Sequence, residues 1–309
     1  MKNIIKQLYK SVTPVWAHKI LVKIINIRGE LAWKSHLQKL NNRIIDYYSN
    51  LPSITDEQAN VINYLKENSI SVFPYDFAKN YKVKDIKVFI DDQSGLKYVL
   101  LDGKKVFYKR SLSKKQIKTA WRNRLREQDI QSPHRYLLDK FDVNPGDTVA
   151  DIGVGEGNFA ISVIEKAKKI YIFETSDEWI EALTHTFEPW ADKVVITKKY
   201  VSNTNTDNNI TLDKFFADNN IEVNFLKIDV DGAEKNLLEG SEKLLAKNLK
   251  IAICTYHKKD DAGTFSKLLM DKGFSTSFSK GYMIFLYDKN FGEPYLRHGL
   301  IRAVKNIEF

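Results

Sequence analysis

The feature that most constrains this chain is an alternation that begins at Thr148. Short apolar runs ("TVADIGV", "IYIFET", "KVVITKKYV", "NFLKIDV", "LKIAICTYH", "MIFLYD") are separated by helical patterns such as "NFAISVIEKAKK", "SDEWIEALTHTF", "GAEKNLLEGSEKLLAK" and "DAGTFSKLLMDKG". Near-continuous apolar strands are buried on both faces, and parallel neighbours need a crossover long enough to hold a helix. The rhythm predicts an α/β, Rossmann-like fold: a mostly parallel sheet with helices on both faces. Ligands of such sheets lie beyond the carboxyl ends of the strands, near the switch in strand order.

Upstream of that region the pattern changes twice. Residues 1–70 read as a helical region, with "HKILVKIINI" and "WKSHLQKLNNRIIDYY" repeating apolar residues at three and four, and Ser53 or Thr55 placed to cap "DEQANVINYLKEN". Residues 71–127 read as a small β-hairpin turning at Asp102-Gly103, followed by a basic helix. Residues 128–309 then form the ligand-binding domain. Charge divides the same way: residues 1–140 carry a net +14 and residues 141–309 a net −5. Lys114, Lys118, Arg122 and Arg126 recur every four residues, a stripe suited to an anionic partner or simply to solvent.

The glycine turn "DIGVGEGNF" follows the first strand. Gly153, Gly155 and Gly157 let a ligand approach the backbone, and a helix N-terminus behind them offers free N–H groups. The dinucleotide spacing G-x-G-x-x-G is absent, and Asp151 stands two residues before the first glycine. A carboxylate there would repel a pyrophosphate but could orient the amino-acid end of S-adenosylmethionine, which favours that cofactor over NAD. Glu174 ends the second strand, where an acid accepts hydrogen bonds from ribose hydroxyls; it could equally serve the N-terminus of the next helix. Val201, at the end of the third strand, completes the expected cofactor set with Asp229.

The segments "DIGVGEGNF", "YIFETSDEW", "TLDKFF", "LKIDVDGAEKNLLEGSEKLL" and "AICTYHKKDD" resemble, in order and spacing, the FkbM family of class I S-adenosylmethionine-dependent methyltransferases. The resemblance covers roughly residues 128 to 290 and is most specific at "IDVDGAE". "DIGVGEG" departs from the family's usual D-x-G-A-N-x-G, and "FETS" from F-E-P. The resemblance implies a class I methyltransferase fold and O-methylation, commonly of sugar or other secondary-metabolite hydroxyls.

Methyl transfer to oxygen requires loss of the hydroxyl proton. Carboxylates after the fourth strand face the transferable methyl in this architecture, so Asp229, Asp231 and Glu234 are candidates to hold the hydroxyl, act as base, or bind a cation such as Mg²⁺ through Asp229 and Asp231. Helix capping is the plainer role for Asp231 and Glu234. His257, at the end of the fifth strand, is the best single candidate for a general base. His134, Arg135 and Tyr136 precede the first strand, where upstream segments overlie the cofactor.

The remaining features exclude classes. A single cysteine, Cys254, rules out an intrachain disulfide framework and a thiolate-rich metal site. No run of about 18 uncharged apolar residues predicts a transmembrane helix, and the opening residues lack the pattern of a signal peptide. The expected location is the cytoplasm, extending to the inner face of the membrane, because residues 1–40 hold 8 basic residues against 1 acidic. The expected partner is an anionic glycan or small-molecule acceptor. A nucleic-acid methyltransferase and a non-catalytic membrane-surface scaffold are the competing classes, the former weakened because no aromatics interleave with the basic stripe and no N-P-P-Y motif follows the fourth strand. The oligomeric state is not encoded in these patterns.

Overall fold

The computed structural model describes residues 15–288 and 290–306, with side chains described from residue 31 and at position 289 not at all. The first fourteen residues of the expected helical region therefore lie outside the described residues. The chain divides into two compact units, Met1–Ser71 and Val72–Phe309.

The first unit holds helices α1 (Val15–Ser49) and α2 (Asp56–Glu67). Thr55 caps α2, accepting the backbone N–H of Gln58 while the Gln58 side chain accepts that of Thr55. Leu40, Ile44 and Tyr48 of α1 are buried, as are Val61, Ile62 and Leu65 of α2, and Asn41 Nδ2 donates to the Leu65 carbonyl at 2.9 Å.

In the second unit, strands β1 (Phe89–Ile90), β2 (Lys97–Leu101) and β3 (Lys104–Phe107) form a small antiparallel sheet. Asp102 and Gly103 both have positive φ, 50° and 80°, as the tight hairpin between β2 and β3 requires. Helix α3 (Lys114–Glu127) follows, capped by a reciprocal Ser113–Gln116 pair. The seven-stranded sheet comes next: β4 (Thr148–Ile152), β5 (Lys169–Phe173), β6 (Val194–Thr197), β9 (Phe225–Ile228), β10 (Lys250–Cys254), β11 (Ser275–Phe278) and β12 (Leu300–Val304). The two-residue strands β7 (Tyr200–Val201) and β8 (Asn209–Ile210) pair apart from it. Its order is β11-β12-β10-β9-β4-β5-β6, parallel except for β12, which runs antiparallel to both β10 and β11. The strand order reverses at β4, because the chain moves outward to β5 and β6 and returns to β9 on the other side. Helices α4 (Asn158–Val163), α5 (Asp177–Phe187), α6 (Glu234–Glu239), α7 (Glu242–Leu245) and α8 (Asp261–Asp271) lie in the crossovers. Successive residues of β4 feed opposite sides: Val149 joins the cluster with Phe159 and Ile161, while Ala150 and Ile152 join the one with Leu226 and Leu237. The expected mostly parallel, two-faced architecture is present.

Three local expectations are corrected. "MIFLYD" is not a strand: Met283 bridges Arg297 and the Ile284 N–H goes to the Val72 carbonyl, while the sheet position beside β10 is taken by "LIRAV" of β12. The single helix expected over "GAEKNLLEGSEKLLAK" breaks into α6 and α7, because Gly240 lies against the backbone of Ser202, whose carbonyl oxygen is 2.2 Å from where a Cβ would stand. The boundary expected at residue 127 does not separate compact units. Phe107 N–H donates to Thr186 Oγ1 at 3.0 Å, Arg110 pairs with Glu181 at 2.6 Å and Ser111 Oγ donates to Glu178 at 2.9 Å, so the hairpin is bound to α5.

Thr186 and Phe107 are both buried. Thr186→Val leaves the Phe107 N–H without its acceptor and should cost about 1–3 kcal/mol, lost in a single urea transition if hairpin and sheet unfold together. A separate early transition for the hairpin would show that it is an independent element.

Candidate active site

The carboxyl ends of β4, β5 and β9 open onto a cavity of about 530 Å³. Its wall includes Gly153, Gly155, Glu174, Val201, Asp229 and Tyr256. The three glycines of the turn serve different ends. A Cβ at Gly153 would stand 1.6 Å from the Asp229 carbonyl oxygen, so this glycine lets the turns after β4 and β9 touch. At Gly157 a Cβ would stand 2.9 Å from Leu183 Cδ2, so that glycine lets α5 pack. Gly155, at φ 56°, has nothing within 4 Å of its Cβ position and borders open space. Glu174 Oε1 accepts the backbone N–H groups of Thr175 (2.7 Å) and Ser176 (2.8 Å) at the start of α5. The helix entrance fixes this carboxylate, and the same residue lines the cavity.

Asp151 is elsewhere. Its side chain is fully buried and does not line the cavity; its carboxylate is 3.0 Å from Lys227 Nζ. The two residues are directly opposite in the β4–β9 register, so they form a cross-strand ion pair inside the sheet. The expected repulsion of a pyrophosphate by Asp151 is therefore corrected: Lys227 offsets that charge. Burial acts to discharge Lys227, but Asp151 and Asp229 outweigh it and raise its pKa. Its ammonium also donates to the Gly153 carbonyl, tying the glycine turn to β9. Nothing was assigned to Lys227 from the sequence, although a lysine within the apolar run "NFLKIDV" is a signal, since a buried charge needs a partner.

Asp229 is the centre of a second group. Its Oδ2 accepts from Tyr136 Oη at 2.9 Å and its Oδ1 from Tyr256 Oη at 3.1 Å. His134 Nε2 lies 3.7 Å from Oδ2 and 3.3 Å from Tyr256 Oη. Burial pushes the Asp229 carboxyl up, but Lys227, His134, His257 and the Tyr136 hydroxyl prevail and hold it well below the usual carboxylate range. His134 is shifted down by burial, toward its neutral form. The segment before β4 thus supplies both His134 and Tyr136. Cys254 is buried, its thiol pushed up by desolvation, as suits a filler.

Glu234, Asp231 and His257 join this group. Glu234 is fully buried; its Oε1 lies 2.8 Å from His257 Nδ1 and accepts the backbone N–H of Val230 at 3.1 Å. His257 Nε2 is buried without a hydrogen-bond partner, 3.6 Å from both Asp229 Oδ1 and Asp231 Oδ1. Asp231 is solvent-exposed on the cavity edge with φ 49°, a left-handed conformation that costs a non-glycine residue strain. Burial lowers the His257 pKa, but the Glu234 contact, with Asp229 and Asp231, outweighs it and raises the value above 6.5.

Helix α3 is not outside this domain. Ile117 and Trp121 are buried in the core, and Arg124 reaches the cavity, its Nε 2.9 Å from Glu156 of the glycine turn and its guanidinium also paired with Glu127. Of the stripe, Lys114 is exposed and Lys118, Arg122 and Arg126 are half-buried.

The sequence profile of the methyltransferase FkbM domain matches residues 114–286. This chain belongs to the FkbM methyltransferase family. Among solved structures it is similar to the methyltransferase FkbM of Methylobacillus flagellatus (11% identity, 88% of this chain and 60% of that one, TM-score 0.45). It is also similar to an rRNA methylase of Streptococcus thermophilus (16% identity, 54% and 90%, TM-score 0.36). A dimethyladenosine transferase of Yarrowia lipolytica is 38% identical over 48 residues, which are 16% of this chain and 15% of that protein. The chain thus spans well under two thirds of the transferase and 60% of the Methylobacillus protein.

The cavity has room and donor groups that fit S-adenosylmethionine, the cofactor expected from the sequence. Gly155 leaves open space beside the backbone, and Glu174 presents a fixed carboxylate with Oε2 directed to no hydrogen bond among the described residues. Gly153, Gly155, Glu174, Val201 and Asp229 would hold the cofactor; Asp151 would act through Lys227 rather than by contact. A Mg²⁺ ion does not fit as well. Asp229, Glu234 and His257 bring donor atoms within 4.8 Å of one another, yet both Asp229 oxygens already accept tyrosine hydroxyls and Glu234 is held by His257 and backbone. In this group the Asp231 carboxylate and Glu234 Oε2 make no hydrogen bond among the described residues, few oxygens for an ion that demands octahedral coordination.

Glu174→Ala should weaken cofactor binding by about 1–3 kcal/mol through lost charge-assisted hydrogen bonds, read by calorimetry; unchanged affinity in a folded variant removes Glu174 from the site. Lys227→Met strands the buried Asp151 carboxylate beside the half-buried Asp229 and should destabilise the fold by about 3–5 kcal/mol at neutral pH. Because the Asp229 pKa is depressed, its contribution to stability exists above its unfolded value and is lost as pH falls. The wild-type advantage over the variant should accordingly shrink toward acid pH in urea titrations, and a pH-independent difference would refute the electrostatic reading.

Proposed function

We propose that this methyltransferase transfers its methyl group to a hydroxyl oxygen, that of a sugar in a glycan or glycolipid precursor. The observation that supports hydroxyl chemistry is the unpartnered Nε2 of His257, with Nδ1 set against Glu234 and Nε2 aimed between Asp229 and Asp231. His257 does not line the cavity and its Nε2 is buried behind Asp229 and Asp231, so an acceptor hydroxyl that enters between those two carboxylates gives its proton to Nε2. The Glu234 carboxylate fixes the ring orientation and stabilises the imidazolium that results. Asp229, held ionised well below the usual carboxylate range, is too weak a base to take the proton; its negative charge favours the imidazolium. Asp231, exposed on the cavity edge, is placed to accept a hydrogen bond from the acceptor. S-adenosylmethionine, when bound, supplies a methyl group on a positively charged sulfur that leaves as a neutral thioether.

The sugar assignment rests on the family resemblance, and the anionic character of the acceptor on the net charge of +14 over residues 1–140. The test is transfer of labelled methyl from the cofactor to a panel of sugars, sugar phosphates, lipid-linked sugars and total RNA. Label in an ether on a sugar carbon supports the reading, and label confined to RNA bases overturns it.

His257→Ala should lower turnover by about 10² or more with cofactor affinity unchanged. The base must be neutral, so activity should rise with pH through the raised His257 pKa. The linked stability runs the other way, being fully present below about 6.5 and lost as pH rises through the folded value. Glu234→Gln removes a charge that raises this pKa and should move the acid limb of the pH–rate profile to lower pH while slowing turnover. An unmoved acid limb in that variant would exclude His257 as the base. Chelator should leave turnover unchanged, and loss restored by Mg²⁺ would replace this route with a metal-assisted one.

A further inference from the structure

We propose that Lys109 binds an anionic group of the acceptor, on the side of the cavity away from the acids. This rests on the acceptor reading above and names the residue that selects the substrate. Lys109 follows β3 and lines the cavity together with Trp179 of α5. Its ammonium stands 4.7 Å from the centre of the Trp179 ring, and it makes no ion pair among the described residues. Neighbouring cations are compensated: Arg110 pairs with Glu181, and Arg124 of the same wall is shared by Glu156 and Glu127. The backbone on both sides of Lys109 is fastened. Phe107 N–H donates to Thr186, Tyr108 N–H to the Lys97 carbonyl, and Ser111 Oγ to Glu178. A half-buried ammonium held in position without a counter-charge is a place for an anion.

Strand order says which ligand brings that anion. Glu174 and Trp179 belong to the β5 side of the cavity, Asp229 and Asp231 to the β9 side, and β4 lies between. At about 4.8 Å per strand the two sides are about 10 Å apart. Seated with its ribose at Glu174 and its amino-acid end at the glycine turn, S-adenosylmethionine presents only neutral groups on the β5 side, so it brings Lys109 no counter-charge. On the β9 side an anion would meet the carboxylates of Asp229 and Asp231. The acceptor therefore turns its hydroxyl to β9 and its charge to Lys109. Lys199, on the same wall, gives its ammonium to the Asp207 carbonyl and adds to the positive potential.

The full-length chain, saturated with S-adenosylhomocysteine, is titrated by calorimetry with glucose, glucose 1-phosphate and glucuronate. At least one anionic sugar should bind about tenfold or more tighter than glucose, a preference that weakens with salt. The sugar that does so identifies the group as phosphate or carboxylate. Lys109→Gln should bring its affinity to within about twofold of that of glucose, while Lys109→Arg should keep the preference. S-adenosylhomocysteine affinity should be unchanged in both variants, which also shows that they fold. No preference in the parent chain, or a preference that Lys109→Gln retains, overturns the proposal. So does weakened S-adenosylhomocysteine binding in Lys109→Gln at unchanged helix content, which gives Lys109 to the cofactor. Methyl label confined to RNA bases, with the Lys109-dependent preference intact, removes the hydroxyl reading and leaves the anion site; label in a sugar ether, with a preference that ignores Lys109, does the reverse.

Discussion

Lys227 carries an ammonium group into the middle of the sheet, where water does not reach and a single charge could not persist. Asp151 from the neighbouring strand, 3.0 Å away, and the nearby Asp229 make its presence tolerable. Charge pairs of this kind add little net stability over apolar residues, yet breaking one is costly. What the pair does here is geometric. The same ammonium holds the carbonyl of Gly153, so the first residue of the glycine turn is fastened to the strand that leads into Asp229. Two loops that border one cavity are joined through the core beneath them.

The chemistry of the cavity end follows from that arrangement. Asp229 is kept ionised by Lys227 and by the tyrosine hydroxyls, so it serves as a fixed negative charge rather than as a proton acceptor. That fixed charge, with Glu234 and Asp231, raises the His257 pKa and makes the imidazole the stronger base. The residues divide into those that touch the cavity, Asp229, Asp231 and Tyr256, and those that act behind it, Glu234 and Lys227. The basic helix α3 enters the same scheme through Arg124, which grips Glu156 of the glycine turn from outside the sheet. The small hairpin, bonded to α5, is part of the same unit, whereas the helices before residue 72 form their own.

Much of this was legible in the linear chain because it depends on short-range rules. Short apolar runs and the helical patterns between them named β4, β5, β9, β10 and the crossover helices, and the Asp102-Gly103 turn announced its hairpin. Glu174, Asp229, Asp231, Glu234 and His257 could be singled out because they end strands or begin helices at one edge of a parallel sheet. Errors arose where an apolar run had more than one place to go. "MIFLYD" and "LIRAV" are equally good strands by composition, and a helical pattern through Gly240 shows nothing of the Ser202 backbone that interrupts it.

By itself, then, the sequence determined the parallel sheet, the glycine turn at its switch point and the acids around it, since each follows from local periodicity and the position of a residue within its own element. The tertiary structure alone decided which partner each charge received. Asp151 and Lys227 stand 76 positions apart in the chain and meet by strand register. His134 and Tyr136 meet Asp229 from a segment with no regular structure, and His257 meets Glu234 across two strand ends. Such pairings depend on which strands become neighbours, a long-range choice made by burying the whole sheet at once, and the ionisation of every group in the site depends on them.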